Sequence, residues 1–207
     1  MTNVYFIRHA EPDYTNHDDE TRPLTEKGQR DTALVCDFLK DKDIDIAYSS
    51  PYLRSVNTIM PFCCEKGLTI NIESDFRERA VSSDWISGFD NFAQSQWADR
   101  QFHLVGGECI DEVQQRNISA LKNVLDMNEG KNVIIASHGT ALSTIVNYYA
   151  NGFGYEDFHR IKKLMPWIVR FTFEGQQCTG LVEYDIFKKE KIHWTVTRKE
   201  QPAMAGR

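Results

Sequence analysis

Short apolar segments rich in strand-forming residues alternate with helical patterns along most of the chain, and this alternation constrains the fold more than any other feature. Residues 3–7 and 132–137 are the clearest buried strands, because each is a nearly continuous apolar run. A further strand at 44–48 is separated from the first by a helical pattern. Strands that alternate with helices favour a largely parallel sheet. The pattern therefore predicts an α/β fold, a three-layer sandwich in which helices flank a largely parallel central sheet.

Local signals place the remaining elements. A helix is predicted after Thr25, a suitable N-cap, and another after Pro51, with Pro61 expected to end or kink it. The alternation fails at about residues 76–108, which we interpret as a cap-like insertion in a single domain spanning residues 1–207. The other predicted elements are strands at 69–72, 167–173, 181–186 and 192–196 and helices at 111–127 and 142–149.

Composition and charge disfavour several classes of partner. Hydrophobic residues make up 41% of the 207 residues, enough to fill a core. No apolar run approaches the ~20 residues that span a bilayer, and the first residues lack a signal-peptide pattern, so we expect a cytoplasmic protein that does not bind membranes. A formal net charge of −6 gives no overall attraction to nucleic acid. Any bound anion must therefore be held by a local cluster.

The cysteines and the acidic loop do not predict a metal site. There are five cysteines, an odd number with no Cys-x-x-Cys pair, which favours free thiols in a reducing compartment over disulfides or zinc. The run His17-Asp18-Asp19-Glu20 is typical of a solvated loop, because adjacent residues rarely share a metal ion. We therefore expect neither a metal nor another cofactor.

Three predicted strands end in turns that carry reactive side chains. The first is followed by Arg8 and His9, the second by Arg54, and the strand at 132–137 by His138. Ligands bind beyond the carboxyl ends of such strands, so the two arginines and two histidines are expected to converge. Arginine binds phosphate bidentately, and neutral imidazole is a competent nucleophile near pH 7. A second histidine, kept cationic by the phosphate, could donate to an equatorial oxygen. The cluster suits phosphoryl transfer.

The sequence resembles the histidine phosphatase superfamily, also called the phosphoglycerate-mutase-like family, over about residues 4–149. The resemblance rests on an ordered set of landmarks rather than on one motif. These are Arg8-His9 with Glu11, the run Pro23-Leu24-Thr25-Glu26-Lys27-Gly28, Ser49-Ser50-Pro51 with Arg54, Glu78, Gly106-Gly107-Glu108 with Arg116, and Ser137-His138-Gly139.

The resemblance implies a role for each matching residue. His9 would be the nucleophile that becomes phosphohistidine, and Arg8, Arg54 and His138 would form the phosphate pocket. Glu78 would protonate the leaving oxygen and then deprotonate the attacking water. A solvated Glu78 is the alternative, with Asp75 or Asp84 as the acid. Residues expected to shape the substrate pocket are Glu11, Asp13 and Trp85.

Departures from the family pattern favour one branch of it. Ala10 stands where the family usually has glycine. The Trp-Asn pair and the tyrosine motif typical of the mutases are missing, since Pro12-Asp13-Tyr14 follows the nucleophile and Arg79-Ala80-Val81 follows Glu78. The resemblance thus implies a metal-independent phosphomonoesterase that acts on a small phosphorylated metabolite. The alternatives are a phosphoglycerate-mutase-type transferase and a phospholigand-binding module without turnover. A homodimer is left open.

Overall fold

The computed structural model describes residues 1–84, 86–150 and 152–197 and is built around a seven-stranded sheet in the order β3-β2-β4-β1-β5-β6-β7. The strands are β1 Thr2–Arg8, β2 Ile46–Ser49, β3 Ile70–Ile72, β4 Asn132–Ser137, β5 Trp167–Glu174, β6 Gln177–Asp185 and β7 Glu190–Trp194. The helices are α1 Glu26–Leu39, α2 Leu53–Lys66, α3 Phe89–Ala98, α4 Ile110–Met127, α5 Gly139–Tyr149 and α6 Tyr155–Ile161, with a short 3₁₀ turn at Ser74–Phe76.

Strand β1 runs through the centre of the sheet, which explains why its residues 4–7 are all apolar and buried. It pairs in parallel with β4, which pairs in parallel with β2. At the carboxyl ends Arg8 lies opposite Ser137, and Ser49 lies opposite Ala136. The residues that follow these three strands therefore emerge side by side at one edge of the sheet.

Alternation along the central strands divides the core into two layers. Val4 and Phe6 of β1 face the larger cluster, which includes side chains of α4 and α5. Tyr5 and Ile7 face the opposite cluster, which includes side chains of α1 and α2. Because successive strand residues point to opposite faces, both faces of the sheet are covered. The predicted three-layer α/β sandwich is confirmed.

The sheet is parallel only in its first half. Strands β1 to β4 pair in parallel, as predicted, whereas β5, β6 and β7 pair antiparallel to their neighbours. Strands β5 and β6 are separated by two residues, too few for the crossover that a parallel pair would need. None of the helices in the described part of the chain combines the length and apolar character needed to cross a membrane.

The second helix departs from the prediction in two places. The sequence predicts Pro51 in its first turn, whereas α2 begins at Leu53, and α2 does not end at Pro61 but continues to Lys66. Proline removes one helical hydrogen bond, but Phe62 and Cys63 beyond it are buried against the sheet and hold the last turn in place. The N-cap of α1 is confirmed, since the Thr25 hydroxyl accepts from the Gly28 amide at 3.0 Å.

The segment from 76 to 108 contains α3 between loops. Phe76 belongs to the main core, where its ring packs edge-on against Phe6. Helix α3 contacts the seven-residue helix α6, which the sequence patterns did not reveal; Trp97 of α3 packs against Phe158 of α6. Three aromatic residues of this segment, Phe76, Phe89 and Trp97, thus join or pack against the main core. The division into one domain with a cap stays a prediction.

Candidate active site

His9 is held at the end of β1 with one ring nitrogen engaged. Its backbone amide donates to the Ser137 carbonyl at 3.0 Å, which ties it to β4. Its Nδ1 lies 2.7 Å from the Ala10 carbonyl oxygen. Because a carbonyl only accepts, Nδ1 carries the proton and Nε2 keeps a lone pair. The His9 Nε2 therefore has the lone pair that the predicted nucleophilic role requires.

His138 faces His9 across the site. Their ring centroids lie 5.2 Å apart, and both side chains are buried. Nε2 of His138 lies 2.6 Å from the Ser50 hydroxyl, while its buried Nδ1 has no hydrogen-bond partner in the described part of the chain. This nitrogen is thus available to a bound group. The two histidines converge as the strand ends predicted.

The Arg8 guanidinium is held in place by backbone carbonyls. Its Nη1 donates to the carbonyls at the end of α6, at 2.8 Å to Ile161 and 3.0 Å to Lys162. Its Nε is buried without a partner among the described residues. Gly139 allows this arrangement, because a Cβ there would lie only 3.1 Å from Arg8 Cζ. The unpaired guanidinium edge can accept an anion.

Arg54 lies in the first turn of α2 and is almost completely buried. Its Nη1 donates to the Asp19 carbonyl, and its Nη2 lies 3.2 Å from the Asp19 carboxylate. The helix is tied to the nucleophile turn through Thr58, whose hydroxyl accepts from the Ala10 amide at 2.9 Å and donates to the Arg54 carbonyl. Ala10 is itself fully buried, so the turn accommodates its methyl group.

Burial and positive charge keep both histidines neutral. Desolvation, followed by the charges of Arg54 and Arg8, holds the pKa of His9 well below 6.5. Desolvation, followed by the Arg54 charge, likewise holds the pKa of His138 well below 6.5. At neutral pH the His9 ring is therefore uncharged, as the predicted nucleophilic role requires.

Glu78 is the carboxylate bound beside these histidines. Its Oε2 accepts from the Thr140 amide at 3.0 Å and its Oε1 from the Ala141 amide at 3.1 Å, both in the first turn of α5 directly after His138. The two alternative acids make other contacts. Asp75 forms an ion pair with Arg77. Asp84 is exposed, and its backbone carbonyl accepts from the Ser82 hydroxyl. The geometry favours Glu78 over both.

Arg116 of α4 holds the loop that carries Glu78. Its Nη1 donates to the carbonyls of Asp75 at 2.7 Å and Arg77 at 2.9 Å. The guanidinium is anchored by the Glu108 carboxylate, at 2.7 Å from Nε. The landmark residues Glu108 and Arg116 therefore act on the position of Glu78.

Two of the three predicted pocket residues form hydrogen bonds with threonines. The Glu11 carboxylate accepts from the Thr25 hydroxyl at 3.0 Å, and Asp13 accepts from the amide and hydroxyl of Thr15. These bonds lower the pKa of Asp13. Trp85 lies outside the described residues. The pocket roles of all three stay predictions.

Two side chains near the site were missed. Asp19 and Arg22 belong to the loop that the sequence suggested is merely solvated, yet Arg22 is 5% exposed and its Nη1 lies 2.6 Å from the Asp19 carboxylate. The sequence feature that could have identified Arg22 is its position directly before the Pro23-Leu24-Thr25 landmark. Within the described ranges no group of three or more His, Cys, Asp or Glu side chains is arranged to hold a metal ion.

Curated relatives cover most of the chain. "Probable phosphoglycerate mutase GpmB" of Photorhabdus laumondii is 27% identical over 158 residues, covering 70% of this chain and 74% of the relative. "Putative phosphoserine phosphatase 2" of Hydrogenobacter thermophilus is 26% identical over 194 residues, covering 86% of this chain and 93% of the relative.

Solved structures share the fold. YhfR of Bacillus stearothermophilus matches with a TM-score of 0.70 and 21% identity, over 86% of this chain and 94% of that one. A mutant phosphoserine phosphatase of Entamoeba histolytica in complex with phosphoserine matches with a TM-score of 0.68 and 21% identity, over 87% of this chain and 96% of that one. The model of the histidine phosphatase superfamily (branch 1) matches residues 4–185. The chain therefore belongs to the histidine phosphatase superfamily.

Proposed function

We propose that the protein is a metal-independent phosphomonoesterase that works through a phosphohistidine on His9. One observation carries the proposal: the rings of His9 and His138 lie 5.2 Å apart, His9 Nε2 keeps its lone pair, and among the described residues His138 Nδ1 and Arg8 Nε are buried without a hydrogen-bond partner. A lone pair beside buried hydrogen-bond donors suits a phosphoryl group, which needs a nucleophile and stabilisation of charge on its equatorial oxygens.

In the first step Arg8, Arg54 and His138 hold the phosphoryl oxygens. The lone pair on His9 Nε2 forms a bond to phosphorus while the bond between phosphorus and the ester oxygen breaks. Glu78 in its protonated form gives its proton to the departing oxygen. The products are the free alcohol and phosphohistidine, with Nδ1–H still donating to the Ala10 carbonyl.

In the second step water attacks phosphorus and the bond to Nε2 breaks. Glu78, now a carboxylate, takes the proton from the water and returns to its starting form. Inorganic phosphate leaves, and His9 is neutral again. The low pKa of His9 favours this return. Burial and the two nearby arginines disfavour a charged ring, and the imidazole leaves phosphorus as a neutral ring.

His138 can serve in either protonation state. When the Ser50 hydroxyl donates to Nε2, the neutral ring carries its proton on Nδ1 and donates it towards the anion. A bound phosphate dianion additionally favours the cationic ring that the sequence led us to expect. The donor atom is Nδ1 in both cases.

The substrate class is a small phosphorylated metabolite. The Entamoeba phosphoserine phosphatase is described in complexes with phosphoserine and with 3-phosphoglyceric acid, both small phosphorylated acids. We also place the enzyme in the cytoplasm, because its five cysteines are free thiols.

Mutase activity is the second candidate, favoured by relatives named as phosphoglycerate mutases. Incubation with 3-phosphoglycerate separates the two functions. We expect release of inorganic phosphate to exceed formation of 2-phosphoglycerate, and the reverse ratio would identify a mutase.

The primary test is hydrolysis of an aryl phosphate in the presence of a chelator. We expect His9→Ala to lower the rate by roughly three orders of magnitude or more. His103→Ala removes an exposed histidine and is the matched control, expected to leave the rate unchanged. Undiminished hydrolysis by His9→Ala would refute the proposal.

A further inference from the structure

An acidic side chain of the protein already occupies part of the basic site. The Asp19 Oδ1 lies 2.6 Å from Nη1 of Arg22 and 3.2 Å from Nη2 of Arg54. The Asp19 carbonyl also accepts from Nη1 of Arg54. Both terminal nitrogens of a phosphate-binding arginine are thus directed at one residue of a loop.

The position of this carboxylate is an anion subsite. Side chains of Arg22 and Arg54 are 7% and 3% exposed, and two guanidiniums held so close need a counter-charge. The Asp19 side chain is 44% exposed. The arginines are therefore fixed by burial, whereas the carboxylate can turn out to solvent.

The rest of the loop does not depend on that carboxylate. Arg22 Nε donates to the Asn16 carbonyl at 2.7 Å, and the Glu20 carbonyl accepts from the Leu53 amide at 2.9 Å. The neighbouring Asp18 carboxylate caps the amide of Glu20 at 2.9 Å. These bonds keep the loop against α2 when the Asp19 side chain moves.

We propose that the Asp19 carboxylate is an intramolecular occupant of the anion subsite between Arg22 and Arg54, and that the phosphate group of the substrate displaces it. This rests on the proposed function, since it assigns Arg54 to phosphate. Asp19 then competes with every incoming anion, and an intramolecular competitor weakens binding without any added inhibitor. Arg22 becomes a third arginine that the substrate can reach.

A purely positioning role for Asp19 makes the opposite prediction. If the carboxylate serves only to orient Arg54 for phosphate, its neutralisation weakens phosphate binding. If it occupies the subsite, neutralisation tightens phosphate binding, because the arginines are left without their competing counter-charge. The sign of one change therefore separates the two roles.

The test is direct calorimetric binding of inorganic phosphate to Asp19→Asn. The amide keeps the shape of the side chain and leaves the backbone bond to Arg54. We expect phosphate to bind between about threefold and tenfold more tightly than to the unmodified protein, as for removal of a partly exposed ion pair. Asp18→Asn removes the same charge in the same loop, where the carboxylate caps the Glu20 amide instead of forming an ion pair with a guanidinium, and is expected to change affinity less than twofold.

Each outcome decides something. Unchanged or weaker phosphate binding by Asp19→Asn overturns the displacement proposal, while hydrolysis that still depends on His9 leaves the proposed function standing. Equal tightening by Asp18→Asn would also overturn it, because loop charge in general would then be the cause. If neither the unmodified protein nor Asp19→Asn binds phosphate, the displacement proposal is overturned, whereas the proposed function is decided separately by whether hydrolysis depends on His9.

Discussion

At the scale of single residues, the Ser50 hydroxyl engages one nitrogen of His138 and leaves the other for the anion that we propose to bind there. The hydroxyl lies 2.6 Å from Nε2, and Nδ1 is left for the bound group. Without this bond the neutral ring could carry its proton on either nitrogen. Ser50 thus acts on the proposed phosphate site through its hydrogen bond to His138.

We expect Ser50→Ala to lower kcat/KM about tenfold, since it leaves a buried ring nitrogen unpaired and frees the tautomer. Steady-state hydrolysis of an aryl phosphate measures this. Ser49→Ala is the control, because that buried hydroxyl donates to the Ser50 carbonyl and not to the histidine. Equal losses in the two variants would show that the effect is general to the loop.

The reactive side chains were predictable from the sequence to the extent that strand ends position them. Arg8, His9 and His138 follow β1 and β4 directly, so the parallel register alone brings them together. Asp19 and Arg22 were not predictable in this way. Their contact with Arg54 depends on the path of a loop, for which no periodic pattern exists.

At the scale of elements, helix α4 controls the loop before α3 through one ion pair. Arg116 holds two carbonyls of the loop and is anchored by Glu108. Glu78, near the start of this loop, is in turn bound to the Thr140 and Ala141 amides in the first turn of α5. The proposed acid is therefore placed by two helices.

We expect Arg116→Gln to lower kcat between about tenfold and a hundredfold with little change in KM, because the acid moves while the phosphate pocket stays. The loss should be larger for an alkyl phosphate than for an aryl phosphate, since poor leaving groups need the proton more.

Arg100→Gln provides the control for this variant. Arg100 pairs with Asp111 of α4, and in the described part of the chain it forms no hydrogen bond or ion pair with the Glu78 loop. The variant therefore removes a comparable ion pair elsewhere. A loss that is equal for alkyl and aryl phosphates would contradict the role of Glu78 as the acid.

Elements with a strong pattern were predictable, and those decided by tertiary contacts were not. Strand β4 matches its predicted bounds at 132–137, because its apolar run is continuous. Helix α6 has seven residues, too few for a helical period to emerge. Pro61 misled the prediction for α2, since burial of Phe62 and Cys63 outweighs one lost hydrogen bond.

At the scale of the whole molecule, the two buried histidines link stability to pH. Their pKa values lie well below 6.5 in the folded protein, whereas unfolded histidines titrate near 6.5. Below pH 6.5 the unfolded chain therefore binds protons that the folded protein does not. Stability contributed by the neutral rings is present above this pH and is lost as the pH falls.

We expect the free energy of unfolding to fall between pH 6.5 and 5, with these two histidines contributing up to about 2.7 kcal/mol per pH unit. Urea unfolding at several pH values measures the slope. The double variant His9→Gln, His138→Gln should show a shallower slope over this window. An unchanged slope would mean that the two rings are not neutral in the folded protein.

Rapid-quench capture of the phosphorylated enzyme, followed by mass spectrometry of its peptides, tests the central claim most directly. The proposed chemistry predicts one acid-labile phosphoryl group on His9 during turnover, and none in His9→Ala. A phosphoryl group on another side chain, or steady turnover with no covalent intermediate at any quench time, would contradict it.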